Sequence, residues 1–372
     1  MNDVLIDELE KDDSLEVLEE EDEVIENIVP PQDIFAFNES RSCADLKRMY
    51  DKRQIDLSPD FQREQVWPLA AKTRFLDSLL KNLPIPSMCI SLDKSTQKRV
   101  VIDGLQRIST IIQFLEAVEN DDKDFQLSVL DDVDERLSGQ TIRQIKEKNP
   151  DVIEFIENVS IPVTVLRCDL SMKNHMDYIF TIFHRLNTGG TKLNNQEIRN
   201  CIFNGELNDL LFKCVEENNE KIQELLGKKN SRFQFEEFVL RFFAFQDGVN
   251  EYEGRLTSFL NNYMEKNKKI HQDEVKRKVD IFNEVIGIVF ENRNDGKLSK
   301  VVLEALLYGI GKNLEYLKSQ TDFSDRYRKL ISSPEFQTDA LSGGLMQSGK
   351  VKARLNRANE LFGADYQKQN EY

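Results

Sequence analysis

The sequence predicts an α+β protein, with a mixed α/β part followed by an all-helical half, and three observations carry that prediction. Short β-prone runs alternate with helical stretches from Ile34 to about Leu170. Beyond Ser171 the β signal stops, and from there apolar residues recur at the 3.6-residue period of helices that bury one face. The 372 residues and 40% hydrophobic content suffice for two cores rather than one. The organisation expected is an acidic arm over 1–30, a mixed α/β domain over 31–170 and a helical domain over 171–365.

The arm comes first. Residues 1–30 hold 13 acidic residues against one lysine, no glycine and no aromatic residue, and end at Pro30-Pro31. Such a segment cannot bury enough apolar surface to offset the entropy of ordering, so it reads as solvated and disordered, with at most a transient helix. Val4, Leu5, Leu9, Leu15 and Leu18 among the carboxylates leave a second reading open. In that reading the arm is a partner-binding or nucleic-acid-mimicking helix that occupies a basic groove.

In the mixed part, β-branched and apolar runs predict strands at Ile55-Asp56-Leu57, Met88 to Leu92, Arg99 to Ile102 and Ile161 to Arg167. A helix is predicted from Pro68, a favourable opening residue, to about Asn82. Phe75, Leu76, Leu79, Leu80 and Leu83 stand at helical spacing and Pro84 stops it. A second helix follows Gly104, with Ile108, Ile111, Ile112 and Leu115 as its stripe, and Asp121 to Gly139 reads as an acidic surface insertion. In the helical half, Met176, Ile179, Phe180 and Phe183 mark one helix. Asn194 with Glu197 has the spacing of a capping box and opens another. Phe235, Phe238, Val239, Phe242 and Phe243 form an aromatic stripe, and Val275, Val279, Phe282, Ile286 and Val289 a further one; both read as core faces.

Charge and cysteine usage narrow the function classes. The net charge of −16 sits mostly in the arm, and the rest of the chain is close to balance, with 53 acids against 49 bases. A near-neutral body permits a local basic groove, so a DNA partner is not excluded, while indiscriminate polyanion binding is disfavoured. Cys43, Cys89, Cys168, Cys201 and Cys214 stand singly, with no CxxC pair, which argues for a reducing cytoplasm and against a cysteine zinc site. No run approaches the roughly 18 apolar residues of a membrane span, and Met1 opens onto acidic residues rather than a targeting segment.

The strongest local signal is Val100-Val101-Ile102-Asp103-Gly104-Leu105-Gln106-Arg107-Ile108-Ser109-Thr110, a β-branched strand that breaks at Asp-Gly and turns into an amphipathic helix. Gly104 lacks the Cβ that would block an anion, the new helix offers unpaired N–H groups and a positive dipole end, and Arg107 adds a bidentate donor. Asp103 is placed to hold a divalent metal or orient water, and Gln106 to position that water or a sugar hydroxyl. The same residues also fit a plain strand-to-helix turn in which Asp103 caps the helix and Arg107 is a surface charge. The phosphate reading requires the guanidinium to face a cavity and the bend to be open.

Four segments in order, Phe61-Gln62-Arg63 with Trp67, Leu83-Pro84-Ile85-Pro86, Asp103-Gly104-Leu105-Gln106-Arg107 and Phe183-His184-Arg185-Leu186-Asn187-Thr188-Gly189-Gly190, resemble the N-terminal domain family of GmrSD-type restriction systems. The likeness continues through Leu193 to Asn200, Glu236 to Ala244, Ser299 to Ala305 and Ser348 to Arg354, so it spans most of residues 34 to 360. It implies a ParB and sulfiredoxin-like core with helical additions, working in prokaryotic defence against foreign and viral DNA, with nucleotide binding and hydrolysis. On matching positions Asp103 and Gln106 would be catalytic, and Arg63, Gly104, Arg107, Arg185 and Asn187 would bind the nucleotide. Asp103 would also meet Mg2+ brought with a nucleoside triphosphate. Leu105 departs from the family pattern, which commonly has glutamine there, and so removes one polar side chain. From the residues alone, Arg185 and Asn187 also fit C-terminal charge and termination residues of a helix.

The absences discriminate further. His175, His184 and His271 are scattered and give no nuclease centre, no cysteine lies within 103–107 for sulfiredoxin chemistry, and neither GxxxxGK[ST] nor GxGxxG occurs at a strand-to-helix turn. The function expected is a nucleoside triphosphate hydrolase of a restriction-like system. The alternative is a non-catalytic nucleotide or DNA-binding module that recruits or regulates a separate nuclease partner.

Overall fold

A five-stranded mixed sheet organises the first part of the chain, and among the described residues the regular elements of the second are helices. The computed structural model describes residues 30–57, 67–186, 194–227, 233–292, 297–341, 343–364 and 366. The arm as far as residue 29, Arg63 and Asn187 lie outside the described residues. The chain divides into two compact units, the second beginning at Asn194.

In the first unit, β1 (Phe35–Ser42) leads through α1 (Cys43–Asp51) and β2 (Ile55–Asp56) to α2 (Leu69–Leu80), then β3 (Met88–Asp93), β4 (Arg99–Asp103) and α3 (Leu105–Glu119). After α4 (Ile142–Lys148) and α5 (Pro150–Asn158), β5 (Ser160–Cys168) returns to the sheet and α6 (Lys173–Leu186) closes the unit. The strand order is β1-β5-β3-β4-β2. β5 is antiparallel to β1 and parallel to β3, while β4 is antiparallel to β3 and parallel to β2. The predicted strands and the two predicted helices are all present, with Pro68 as the N-cap of α2.

Two elements of this unit were not legible in the sequence. β1 reads Phe-Ala-Phe-Asn-Glu-Ser-Arg-Ser, poor in β-branched residues, and it is a strand because β5 pairs with it from Phe35↔Arg167 to Ser42↔Ser160. α1 is set off by the Ser42 hydroxyl, which accepts from the Asp45 N–H at 3.1 Å. The stretch 121–139 also differs from a plain surface insertion, since Leu127, Val133 and Leu137 reach the same core as Leu46, Leu76 and Ile108.

α6 corrects the expected domain boundary. It belongs to the first unit rather than opening the second, and packs on β4. Ile102, Leu166 and Cys168 are buried but lie outside the core cluster built on Ile90, Val101 and Val163, so the sheet is covered on both faces. The apolar stripe of α6, with Met176, Ile179, Phe180 and Phe183 all buried, forms the helix its spacing predicts but belongs to the first unit.

The second unit contains α7 (Asn195–Ile202), α8 (Glu206–Leu226), α9 (Gln234–Gly248), α10 (Leu256–Lys266), α11 (Gln272–Asn292), α12 (Lys300–Lys312), α13 (Leu314–Leu317), α14 (Phe323–Ile331), α15 (Thr338–Leu341) and α16 (Ser348–Phe362). The capping box is present: Asn194 accepts from the Glu197 N–H at 2.9 Å, and the Glu197 carboxylate accepts from the Asn194 N–H at 2.7 Å. The aromatic stripe of α9 is core, as its spacing predicted, with Phe242 packed edge-on against Phe243 and against Phe282 of α11. Among the described residues no helix is long and apolar enough to cross a membrane.

Candidate functional site

The turn from β4 into α3 brings Asp103, Gly104, Gln106 and Arg107 together within one helical turn. Its local geometry starts from a bulge. β3 and β4 pair Cys89 with Asp103 but Ile90 with Val101, so Ile102 is the extra residue and the strand bends where it delivers Asp103. Gly104 then takes φ 95° and ψ 14°, the left-handed conformation that costs other residues energy, and serves as the N-cap of α3.

The environment of Gly104 corrects the reason the sequence suggested for it. Gly104 is buried, and a Cβ placed on it would stand 2.6 Å from Met88 Cγ, whose side chain is fully buried beneath the turn. The space that was assigned to an anion is filled by Met88. Glycine is needed here for its backbone conformation and for the close packing of β3, not to admit a ligand on that side.

Arg107 is also committed. Its Nη2 donates to Asp103 Oδ2 at 2.8 Å and its Nη1 donates to the Pro86 carbonyl. The Arg107 side chain retains 13% of its exposure and Asp103 retains 36%, so the pair lies at the surface with its acidic member outermost. The guanidinium expected to hold phosphate thus holds the chain's own carboxylate, at the end of a helix whose first turn carries no acidic residue.

Gln106 holds backbone through its amide oxygen. Its Oε1 accepts from the Trp67 N–H at 2.9 Å, tying the start of α2 to the first turn of α3. The Trp67 ring packs edge-on against Phe75 at 5.6 Å, the anchoring role that a lone tryptophan before a helix suggests. Leu105 packs against the core. Arg185 is exposed in the last turn of α6, and among the described residues no hydrogen bond joins it to the turn. Sequence reasoning missed Met88 and the Pro86 carbonyl. The Leu83-Pro84-Ile85-Pro86 motif was the available signal for the second, and nothing in the sequence marked the first.

The neighbouring thiol is inert. Burial, and after it the charge of Asp103, push Cys89 up to about 12, which fits a core residue rather than a nucleophile. Among the described residues no group of three His, Cys, Asp or Glu side chains could hold a metal ion. Asp103 is therefore in no such group among the described residues.

An α+β domain whose strand-to-helix turn carries an Asp-Gly-Leu-Gln-Arg sequence is what the fold and the turn define. Residues 46–204 match the family described as "GmrSD restriction endonuclease, N-terminal domain". The match covers less than half of the chain, and the later segments likened to the family, from Glu236 onward, lie beyond it. No curated protein matches the chain. Among solved structures, a Pnob8-like ParB-N domain aligns at 11% identity and a TM-score of 0.23, covering 88% of this chain and 99% of that one. At that score the likeness carries no argument about ligands or activity.

Proposed function

We propose that the first unit is a nucleotide-binding module of a restriction-type defence system, in which an incoming phosphate takes Arg107 from Asp103. The family match supports the setting. Met88 closes one side of the Gly104 turn, so the reading rests on the other side, where the partly exposed Asp103–Arg107 pair lies at the N-terminus of α3. A guanidinium already oriented by one oxyanion is preorganised for another, and the helix end favours negative charge. Cleavage of DNA is then the task of a separate nuclease partner that the module recruits or regulates.

The test is a thermal shift of the full chain against a nucleoside triphosphate panel, with and without magnesium. A ligand bound to the native state raises the midpoint. Arg107→Ala is expected to abolish the shift. Asp103→Asn removes the internal competitor, and for a pair this exposed the gain is on the order of 1 kcal/mol, about fivefold in Kd. An undiminished shift in Arg107→Ala would remove the proposal.

Hydrolysis is a second reading, favoured by one observation: Asp103 Oδ1 has no hydrogen bond among the described residues and its side chain is partly exposed, leaving it able to orient water. Gln106, engaged with Trp67, favours it less. In this reading Asp103→Asn binds nucleotide but releases no phosphate, and equal release by wild type and variant would exclude it.

A further inference from the structure

α7 of the second unit is polar along most of its length and yet buried, with Asn195, Gln196, Glu197, Arg199 and Asn200 all shielded from solvent. Burying so many polar groups is costly unless each is bonded. Most are. Arg199 Nε donates to Asn261 Oδ1 at 3.0 Å, and its Nη1 donates to Glu237 Oε2 at 3.0 Å and to Gln196 Oε1 at 3.1 Å. Gln196 Nε2 in turn donates to Asn200 Oδ1 at 2.9 Å.

Both ends of this chain are unfinished. Arg199 Nη2 and Asn200 Nδ2 are buried and have no hydrogen-bond partner. The assignment of Asn200 is not a free choice. Arg199 can only donate, so it fixes Gln196 with its oxygen toward Arg199 and its NH2 toward Asn200, which in turn fixes the Asn200 oxygen toward Gln196. The unmet groups are therefore both donors. Around them, Arg199, Lys300 and Arg241 outweigh the effect of burial on Glu237 and keep its carboxyl below the usual range. Arg241 is itself paired with Glu304 at 2.7 Å.

We propose that Arg199 and Asn200 form a binding site for a small oxyanion inside the helical unit, separate from the Asp103–Arg107 turn. An oxyanion supplies acceptors only, matching two unmet donors of which one is a guanidinium nitrogen. Phosphate and carboxylate share this chemistry.

The experiment follows the thermal unfolding of the full chain in inorganic phosphate, in acetate and in chloride at equal ionic strength. At phosphate about tenfold above its Kd, the midpoint is expected to rise by about 3 to 6 °C. Arg107→Ala is expected to keep that rise, which separates this site from the nucleotide reading. Asn200→Asp replaces the unmet Nδ2 donor with an acceptor and adds a negative charge, so it is expected to lose the response. Should it fail to fold, Asn200→Ala removes one donor without adding charge and is expected to weaken the response by about tenfold. A response to acetate alone would assign the site to carboxylates. No anion-dependent rise, a rise lost in Arg107→Ala but kept in the Asn200 variants, or a crystal grown in phosphate with only water at Arg199 Nη2 would overturn the proposal.

Discussion

Gly104→Ala tests what the glycine of the Asp-Gly turn is for. Two costs can be worked from the structure. An alanine at φ 95° sits in the left-handed region, at about 1–2 kcal/mol. Its Cβ would also lie 2.6 Å from Met88 Cγ and 3.0 Å from Met88 Cβ and Sδ, and because Met88 is fully buried it has little room to move, adding about 1–3 kcal/mol. The expected loss is therefore about 3 kcal/mol. Trp67, the only tryptophan, lies in the first unit, so its fluorescence in urea reports this unit alone. The decisive measurement is the cycle with Met88→Ala. Truncating Met88 costs about 2–5 kcal/mol by itself but removes the clash, so the double variant should be about 1–3 kcal/mol more stable than the sum of the two. Strict additivity, or a Gly104→Ala protein as stable as wild type that has lost only nucleotide binding, would refute the packing account and restore the view that the glycine admits a ligand.

Three further expectations follow from single residues. Asp93 at the end of β3 is pushed up by burial but held below the ordinary carboxyl value by the hydroxyls of Thr96 and Ser95 and the N–H groups of Ser95 and Leu170. Its folded pKa is depressed, so its contribution is complete above the unfolded value near 4 and is lost as pH falls toward the folded one. Asp93→Asn should flatten the acid limb of a stability–pH curve, and an unchanged limb would contradict this. Arg326 is fully buried, donating to the carbonyls of Leu361 at 2.8 Å and Gly363 at 3.1 Å and to Asp322 at 2.8 Å. Arg326→Ala strands the last turn of α16 and a carboxylate, and should cost about 3–5 kcal/mol in the unfolding of the second unit; a loss below about 1 kcal/mol would be inconsistent. Cys43, Cys89, Cys168 and Cys214 are each pushed up to about 12, with burial as the main cause, so a thiol reagent near neutral pH should label them only as the protein unfolds. Rapid native labelling of Cys89 would show the turn to be open.

The elements legible in the sequence were those whose determinants are local. The stripe after Gly104 fixes α3, the β-branched run before Asp103 fixes β4, and Asn194 with Glu197 closes a capping box, because each depends on residues within a turn or two of itself. The family likeness was legible on the same footing, as ordered motifs, and the match over 46–204 confirms it for that part. Tertiary structure alone decided the rest. β1 exists through a partner more than a hundred residues away, and α6 joins the first unit because the second face of the sheet needs covering, which no helical periodicity can announce. At the candidate site, composition predicted an arginine and an aspartate near a glycine. That the arginine grips the aspartate, and that a methionine from the neighbouring strand fills the space beside the glycine, are facts of side-chain packing set by the pairing of β3 with β4.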